Sequence, residues 1–130
     1  MQYWLLKTEP STYSWPQLVK DGGTFWDGVH NYQARNHLRA MKVGDLAFIY
    51  HSGDEKQIMG IARIIREAYP DKKDPAWSWV DIEPVKPLPR PVTLHELKAH
   101  PAFSKINFLR QSRLSVCSLK PEEWRMIRDF

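Results

Sequence analysis

The pattern of apolar positions along the chain predicts five strands. Residues 44–52 are apolar at nearly every position, which is typical of a strand buried on both faces. Residues 77–83 alternate instead, with Trp77 facing one side and Val80 the other. The prolines at positions 84, 87, 89 and 91 are expected to end this strand and to lie on an edge or in a loop. The predicted strands are residues 3–8, 44–52, 57–68, 77–88 and 113–119.

Capping residues predict four short helices between these strands. Ser14 caps the first helix and Gly22 ends it, while Asn31 caps the second. Thr93 and Glu96 form a capping box for the third. Gly60 interrupts a predicted strand, which indicates a bulge or a close backbone approach. The predicted helices lie within residues 11–23, 31–40, 93–100 and 121–130.

This irregular order of strands and helices predicts an α+β fold, with a small curled mixed sheet or partial barrel and helices around it. The glycine fingerprint and the regular strand–helix alternation of dinucleotide-binding folds are absent. A length of 130 residues favours one domain covering residues 1–130.

Charge and composition restrict the class of binding partner and the location that we expect for this protein. The chain has 19 Lys and Arg against 15 Asp and Glu, so its net charge of +4 permits an anionic partner without demanding one. Six tryptophans beside such cations are what stacking on nucleobases requires, although many of them are expected to fill the core. Cys117 is the one cysteine and is expected to be an inert, buried strand thiol. The first residues lack the features of a signal peptide and no run is long enough to cross a membrane, so we expect a cytoplasmic protein.

The sequence lacks the motifs of most classes of enzyme active site. The histidines share no metal-ligand spacing, and no phosphate-binding loop is present, so we expect neither a metal nor another cofactor. His51 and Ser52 are adjacent on a strand and point to opposite faces, so they cannot pair as base and nucleophile. Glu9 and Asp27 stay open as a carboxylate pair, with Asp27 before Gly28 also fitting a turn acid.

The segment WDGVHNYQARN, residues 26–36, is too polar for a core and too aromatic for an ordinary loop. It leads into a helix N-terminus, whose backbone amides favour an anion, and Arg35 lies one turn inside that helix. Trp26 lies just before this helix, so an aromatic face and a phosphate site would lie side by side. One stacking face and one phosphate site are the smallest set of contacts that binds a nucleotide. The other interpretation is that Trp26 packs the helix on the sheet and Arg35 pairs with Asp27.

Polar side chains also follow two apolar strands where each strand ends. Such groups stand on a rigid platform, as a selective pocket needs, and a carboxylate among them would accept from the amino group of a base. The alternative is that these side chains are simply exposed to solvent at the strand ends, which is the more common arrangement for such residues. The residues concerned are Lys7, Thr8 and Glu9 after the first strand, and Tyr50, His51 and Ser52 after the second.

Six ordered segments resemble one known family. They are KTEP, WDGVHNYQARNHLRAMKVGD, YHS, GIARIIREAYPD, RPVTLHELK and RLSV, and the similarity spans residues 2 to 128. The set resembles the EVE domain, the module of the thymocyte nuclear protein family and its bacterial relatives, within the PUA-like superfamily. That resemblance implies a pseudo-barrel of about five to six mixed strands with short flanking helices. It also implies binding of modified bases in DNA or RNA without catalysis.

The resemblance assigns roles to the residues singled out above. Trp26 would wall the base cage, and the base would enter flipped out or single-stranded. We expect Trp26 to border an open hollow with a positively charged rim. His30 stands where the family usually has Arg. The implied base-binding residues are Lys7, Thr8, Glu9, Trp26, Asn31, Tyr50, His51 and Ser52, and the implied phosphate-binding residues are Arg35 and Asn36.

Two rival functions stay open. A small enzyme acting on a nucleobase or nucleotide would use Glu9 or Asp27 as its base. A protein-interaction domain would use exposed Trp77 and Trp79 as anchors.

Overall fold

Strands and short helices alternate irregularly within residues 1–104 and 106–130, which the computed structural model describes. Pro101–Phe103 forms a short 3₁₀ turn. In chain order the elements are β1 (Tyr3–Thr8), α1 (Trp15–Asp21), β2 (Thr24–Trp26), α2 (Tyr32–Ala40), β3 (Leu46–His51), β4 (Gln57–Pro70), β5 (Ser78–Thr93), α3 (Leu94–Ala99), α4 (Asn107–Arg110), β6 (Val116–Leu119) and α5 (Pro121–Arg128).

The six strands form one mixed sheet in the order β2-β5-β4-β3-β1-β6. β1 and β3 run parallel, and the other neighbouring pairs run antiparallel. The sheet is open, with β2 at one edge and β6 at the other. The predicted α+β fold, with mixed strands in a partial barrel and short flanking helices, is confirmed.

Helix ends follow the predicted caps because capping is a local interaction. Ser14 Oγ accepts the Gln17 N–H at 3.2 Å. Asn31 Oδ1 accepts the Ala34 N–H at 3.0 Å, and the capping box of Thr93 and Glu96 is complete.

The sheet differs from the prediction chiefly in strand β2 and in the length of strand β5. β2 was not predicted, because three residues give too short a pattern and its pairing partners, Val80 to Ile82, lie far along the chain. The prolines do not end β5, which continues to Thr93. Beyond Ile82 one side of β5 has no pairing strand among the described residues, so prolines are tolerated on that edge, and the register with β4 shifts repeatedly.

Gly60 confirms both parts of its prediction and fixes α1 on the sheet. The register between β4 and β5 shifts at Gly60, and a Cβ built there would lie 2.4 Å from Cζ2 of Trp15. Only a residue without a side chain lets the Trp15 ring approach this closely. On the other side of the strands, Trp124 of α5 stacks on Phe48 with ring centroids 3.9 Å apart. Cys117 is buried beside this core, as predicted.

Candidate functional site

A hollow of about 420 Å³ opens beside Trp26, and we call it the first hollow. It lies between the end of β1 with the turn that follows, and β2 with the turn 27–29. Its volume is in the range of small-molecule sites, and it would accommodate a nucleobase. Its lining residues are Lys7, Thr8, Glu9, Thr12, Tyr13, Thr24, Phe25, Trp26, Asp27, Gly28, Val29 and Ser115.

Two aromatic rings form one wall of the first hollow. The edge of one ring meets the face of the other, since Tyr13 and Trp26 have centroids 6.3 Å apart and an interplanar angle of 87°. Thr8 Oγ1 donates to the Tyr13 carbonyl at 2.7 Å and so holds the turn from Glu9 to Tyr13 in place. The Tyr13 hydroxyl donates to Asp21 at 2.8 Å. Burial and that carboxylate raise the pKa of Tyr13 to about 12. Trp26 is only 6% exposed, so it offers a guest only a small part of its surface.

The charges around the first hollow correct one expectation. Its lining carries one ammonium, from Lys7, against two carboxylates, from Glu9 and Asp27. The positively charged rim expected from the sequence is therefore wrong for this hollow. Asp27 makes no side-chain hydrogen bond within the described residues, so its oxygens are available to a guest that donates.

A second hollow of about 250 Å³ adjoins the first, and Lys7 lines both. It lies between the ends of β1 and β3, helix α3 and helix α4. Burial lowers the pKa of the Lys7 ammonium, which donates to the carbonyls of Gln111 and Ser112 at 3.4 Å each. The lining of the second hollow consists of Lys7, Tyr50, Ser52, Gly53, Lys56, Leu94, Lys98, Phe108, Leu109 and Ser112.

Comparison with known proteins identifies the family. A family model of the EVE domain matches residues 2–130.

The chain belongs to the EVE domain family. The resemblance stated from the sequence is thereby confirmed.

Relatives with names or structures agree with this assignment. Thymocyte nuclear protein 1 of chicken (Gallus gallus) is 38% identical over 162 residues, which cover 96% of this chain and 66% of the chicken protein. A crystal structure from Agrobacterium tumefaciens has 40% identity and a TM-score of 0.96, covering 99% of this chain and 92% of that one. The human THYN1 protein in complex with DNA containing 5-methylcytosine has 34% identity and a TM-score of 0.92, covering 99% and 96%. This EVE domain also shares its fold with an ASCH protein of Zymomonas mobilis, at 16% identity and a TM-score of 0.61, covering 98% and 94%.

The predicted base-binding residues do not all lie in one site of this EVE domain. Four of them line the first hollow, and Lys7, Tyr50 and Ser52 line the second. His51 lines neither hollow; it is 2% exposed, with Nε2 accepting the Trp15 N–H and Nδ1 lying 2.9 Å from Glu55 Oε1. The four in the first hollow are Lys7, Thr8, Glu9 and Trp26.

Both hollows lack Asn31, which was expected to bind the base, and Arg35 and Asn36, which were expected to bind phosphate. Asn31 uses its side chain as the α2 cap, and Arg35 donates to the carbonyl of Ala76 at 3.2 Å. The Arg35 guanidinium also lies 4.8 Å from the ring centroid of Tyr32 and donates to Asn36 Oδ1 at 3.2 Å. The pairing of Arg35 with Asp27, the other interpretation from the sequence, is not present in the described part of the chain.

The two tryptophans of the protein-interaction alternative are partly covered. Trp77 stacks against Tyr32 with centroids 5.2 Å apart, and Trp79 stacks against Phe25 with centroids 4.9 Å apart. Neither presents a fully exposed ring, since both are half-buried.

Sequence reasoning missed several residues of the first hollow. Tyr13 arrives through the turn at Glu9 to Tyr13, whose backbone hydrogen bonds are local but irregular. Ser115 arrives because its carbonyl accepts the Lys7 N–H at 2.9 Å, a pairing between distant parts of the chain. For Asp27 the sequence suggests a turn acid, a catalytic carboxylate or a partner of Arg35, and none of these is a contact to a bound base. Its place beside Gly28 was the one signal in the sequence for a residue at the rim.

Neither a metal cluster nor a spanning helix is found where the structure describes the chain. No three His, Cys, Asp or Glu side chains of the described residues converge as a metal site would need. In those same residues, no helix has the length and apolar character to cross a bilayer. The cytoplasmic location remains a prediction.

Proposed function

We propose that this EVE domain binds nucleic acid without catalysing a reaction on it, and that the first hollow receives a modified base. The base enters flipped out of a duplex or from a single strand, because the hollow is too small for a stacked pair. The complex of human THYN1 with DNA containing 5-methylcytosine supports a nucleic-acid partner for a chain of the same family.

The observation that carries the proposal is that the aromatic rings of Trp26 and Tyr13 line one hollow together with the carboxylate residues Glu9 and Asp27. A carboxylate accepts from the exocyclic amino group of cytosine or adenine and repels a keto oxygen at the same position. The net negative lining also keeps phosphates out of the first hollow. We therefore propose that the guest is an amino-bearing base, with 5-methylcytosine as the first to test.

The contribution of Trp26 is modest because so little of its ring is exposed. Stacking on a fully open aromatic face contributes about 1–3 kcal/mol per base. We place Trp26 at the lower end, so that Trp26→Ala weakens binding about fivefold, which corresponds to about 1 kcal/mol.

Fluorescence anisotropy with labelled single strands tests the proposal. Three otherwise identical strands carry cytosine, 5-methylcytosine or thymine at one position, and thymine differs from 5-methylcytosine by presenting a keto oxygen in place of the amino group. Wild type is expected to bind the 5-methylcytosine strand more tightly than the thymine strand. Asp27→Ala should remove most of that difference, while Asp54→Ala, a carboxylate outside the first hollow, should keep it. Equal affinity of the wild type for all three strands would reject base recognition.

The enzyme alternative rests on the same two carboxylates. Glu9 and Asp27 line one hollow, so either is placed to act as a base on a bound nucleobase. Incubation with nucleosides and separation of the products distinguishes the two functions. Product that accumulates with wild type but not with Glu9→Gln would replace the binding proposal by an enzymatic one.

A further inference from the structure

We infer that the second hollow holds a phosphate group of the nucleic-acid backbone, next to the nucleotide whose base enters the first hollow. The inference rests on the proposed function for the source of the phosphate. It relocates the phosphate contact from Arg35 and Asn36 to a site lined by lysines.

Three lysines supply the charge. Lys7, Lys56 and Lys98 all line the second hollow, and no carboxylate belongs to that lining. None of the three forms an ion pair with a carboxylate within the described residues. Three acids lie close by: Glu9 packs against Gly53, and Asp54 and Glu55 line a neighbouring hollow that Lys56 and Lys98 also border. The lining therefore favours an anion, in contrast to the first hollow.

The backbone brings these lysines together. The N–H of Leu94, the first residue of α3, donates to the carbonyl of Lys56 at 2.8 Å. Lys98 follows Leu94 by four residues, so both lie on the same face of α3. Lys56 itself has φ of +48°, a region disfavoured for residues with a Cβ and seen often at ligand sites.

Size and neighbourhood select a phosphate. At about 250 Å³ the second hollow is smaller than usual drug-sized sites, and it carries hydroxyls from Tyr50, Ser52 and Ser112 that can donate to anionic oxygens. Because Lys7 borders both hollows, a phosphate in one and a base in the other belong to neighbouring parts of one strand.

The test uses NMR titration of the intact chain with three probes: inorganic phosphate, the nucleoside 5-methyl-2′-deoxycytidine, and a single strand containing 5-methylcytosine. Inorganic phosphate should shift the amide signals of Ser52, Gly53 and Leu94 to saturation. Those shifts should vanish in Lys56→Gln/Lys98→Gln and persist in Lys72→Gln/Lys73→Gln, which removes the same charge from an exposed loop. The nucleoside should instead shift the Trp26 indole in all three proteins, which also shows that each is folded.

Salt dependence identifies the source of the phosphate. For the single strand, the slope of log Kd against log salt should fall by about 0.7 in the Lys56/Lys98 variant for one lost phosphate contact, and stay unchanged in the control. Absence of saturable shifts by inorganic phosphate at the second hollow would overturn the inference. An equal loss of slope in both variants, or no loss in either, would overturn the assignment to a backbone phosphate. Phosphate binding without any nucleoside response would leave the second site standing and reject the proposed function.

Discussion

His51 Nε2 accepts the backbone N–H of Trp15 at 2.9 Å, which fastens the first turn of α1 to the end of β3. The acceptor must be unprotonated, so the ring proton lies on Nδ1, 2.9 Å from Glu55 Oε1. A residue that the sequence suggested for base contact thus holds a helix that helps to build the wall of the first hollow.

His51→Ala should destabilise the fold without changing which bases bind. It leaves the Trp15 N–H buried and unsatisfied, which costs about 1–3 kcal/mol. Urea denaturation measures the free energy of unfolding, and His95→Ala, an exposed histidine on α3, should stay within about 0.5 kcal/mol of wild type. An unchanged stability of His51→Ala, combined with lost discrimination between 5-methylcytosine and thymine, would return His51 to the binding site.

Gly60→Ala should destabilise the fold through its collision with Trp15. The added Cβ would lie 2.4 Å from the indole, and overpacking of this kind costs about 1–3 kcal/mol. In Trp15→Phe/Gly60→Ala the smaller ring gives the methyl group room. The double variant should therefore lose less stability in urea than the two single losses combined. Strictly additive losses would show that the ring and the glycine do not interact.

The acid sensitivity of the fold should depend on Glu96. Hydrogen bonds from Arg90 and Thr93 lower its pKa from 4.5 to about 2. Because the folded pKa lies below the ordinary value, the carboxylate stabilises the fold above pH 4.5, and this contribution is lost as pH falls from 4.5 to about 2.

The melting temperature of Glu96→Gln should therefore fall less than that of wild type as the pH is lowered from 4.5 to about 2. Glu122→Gln, an exposed carboxylate on α5, serves as the control and should melt as wild type does at each pH. Direct NMR titration of the Glu96 carboxyl gives a second reading. A midpoint near 4.5 would contradict the hydrogen-bonded geometry at the start of α3.

Local features could be predicted from the sequence, and features made by distant pairing could not. The caps at Ser14, Asn31 and Thr93 each depend on residues within one helical turn, so the pattern contains all that is needed. β2 exists because Trp26 pairs with Val80, and three residues carry no pattern of their own.

The candidate sites show the same division. Lys7, Thr8 and Glu9 are adjacent at a strand end, and their joint lining of one hollow follows from that position. Tyr13 reaches the hollow through an irregular turn and Ser115 through backbone pairing with distant Lys7, and neither feature has a pattern in the sequence. The positive charge expected beside Trp26 lies instead in the second hollow, because Lys56 and Lys98 arrive there from a loop and from α3.

Intermolecular nuclear Overhauser effects test most directly whether a base lies against Trp26 in the first hollow. The 5-methyl protons of a bound 5-methylcytosine strand should show contacts to the ring protons of Trp26 and Tyr13. Contacts to Tyr32 and Trp77 on the surface instead, or a bound strand without contacts to Trp26, would contradict the account.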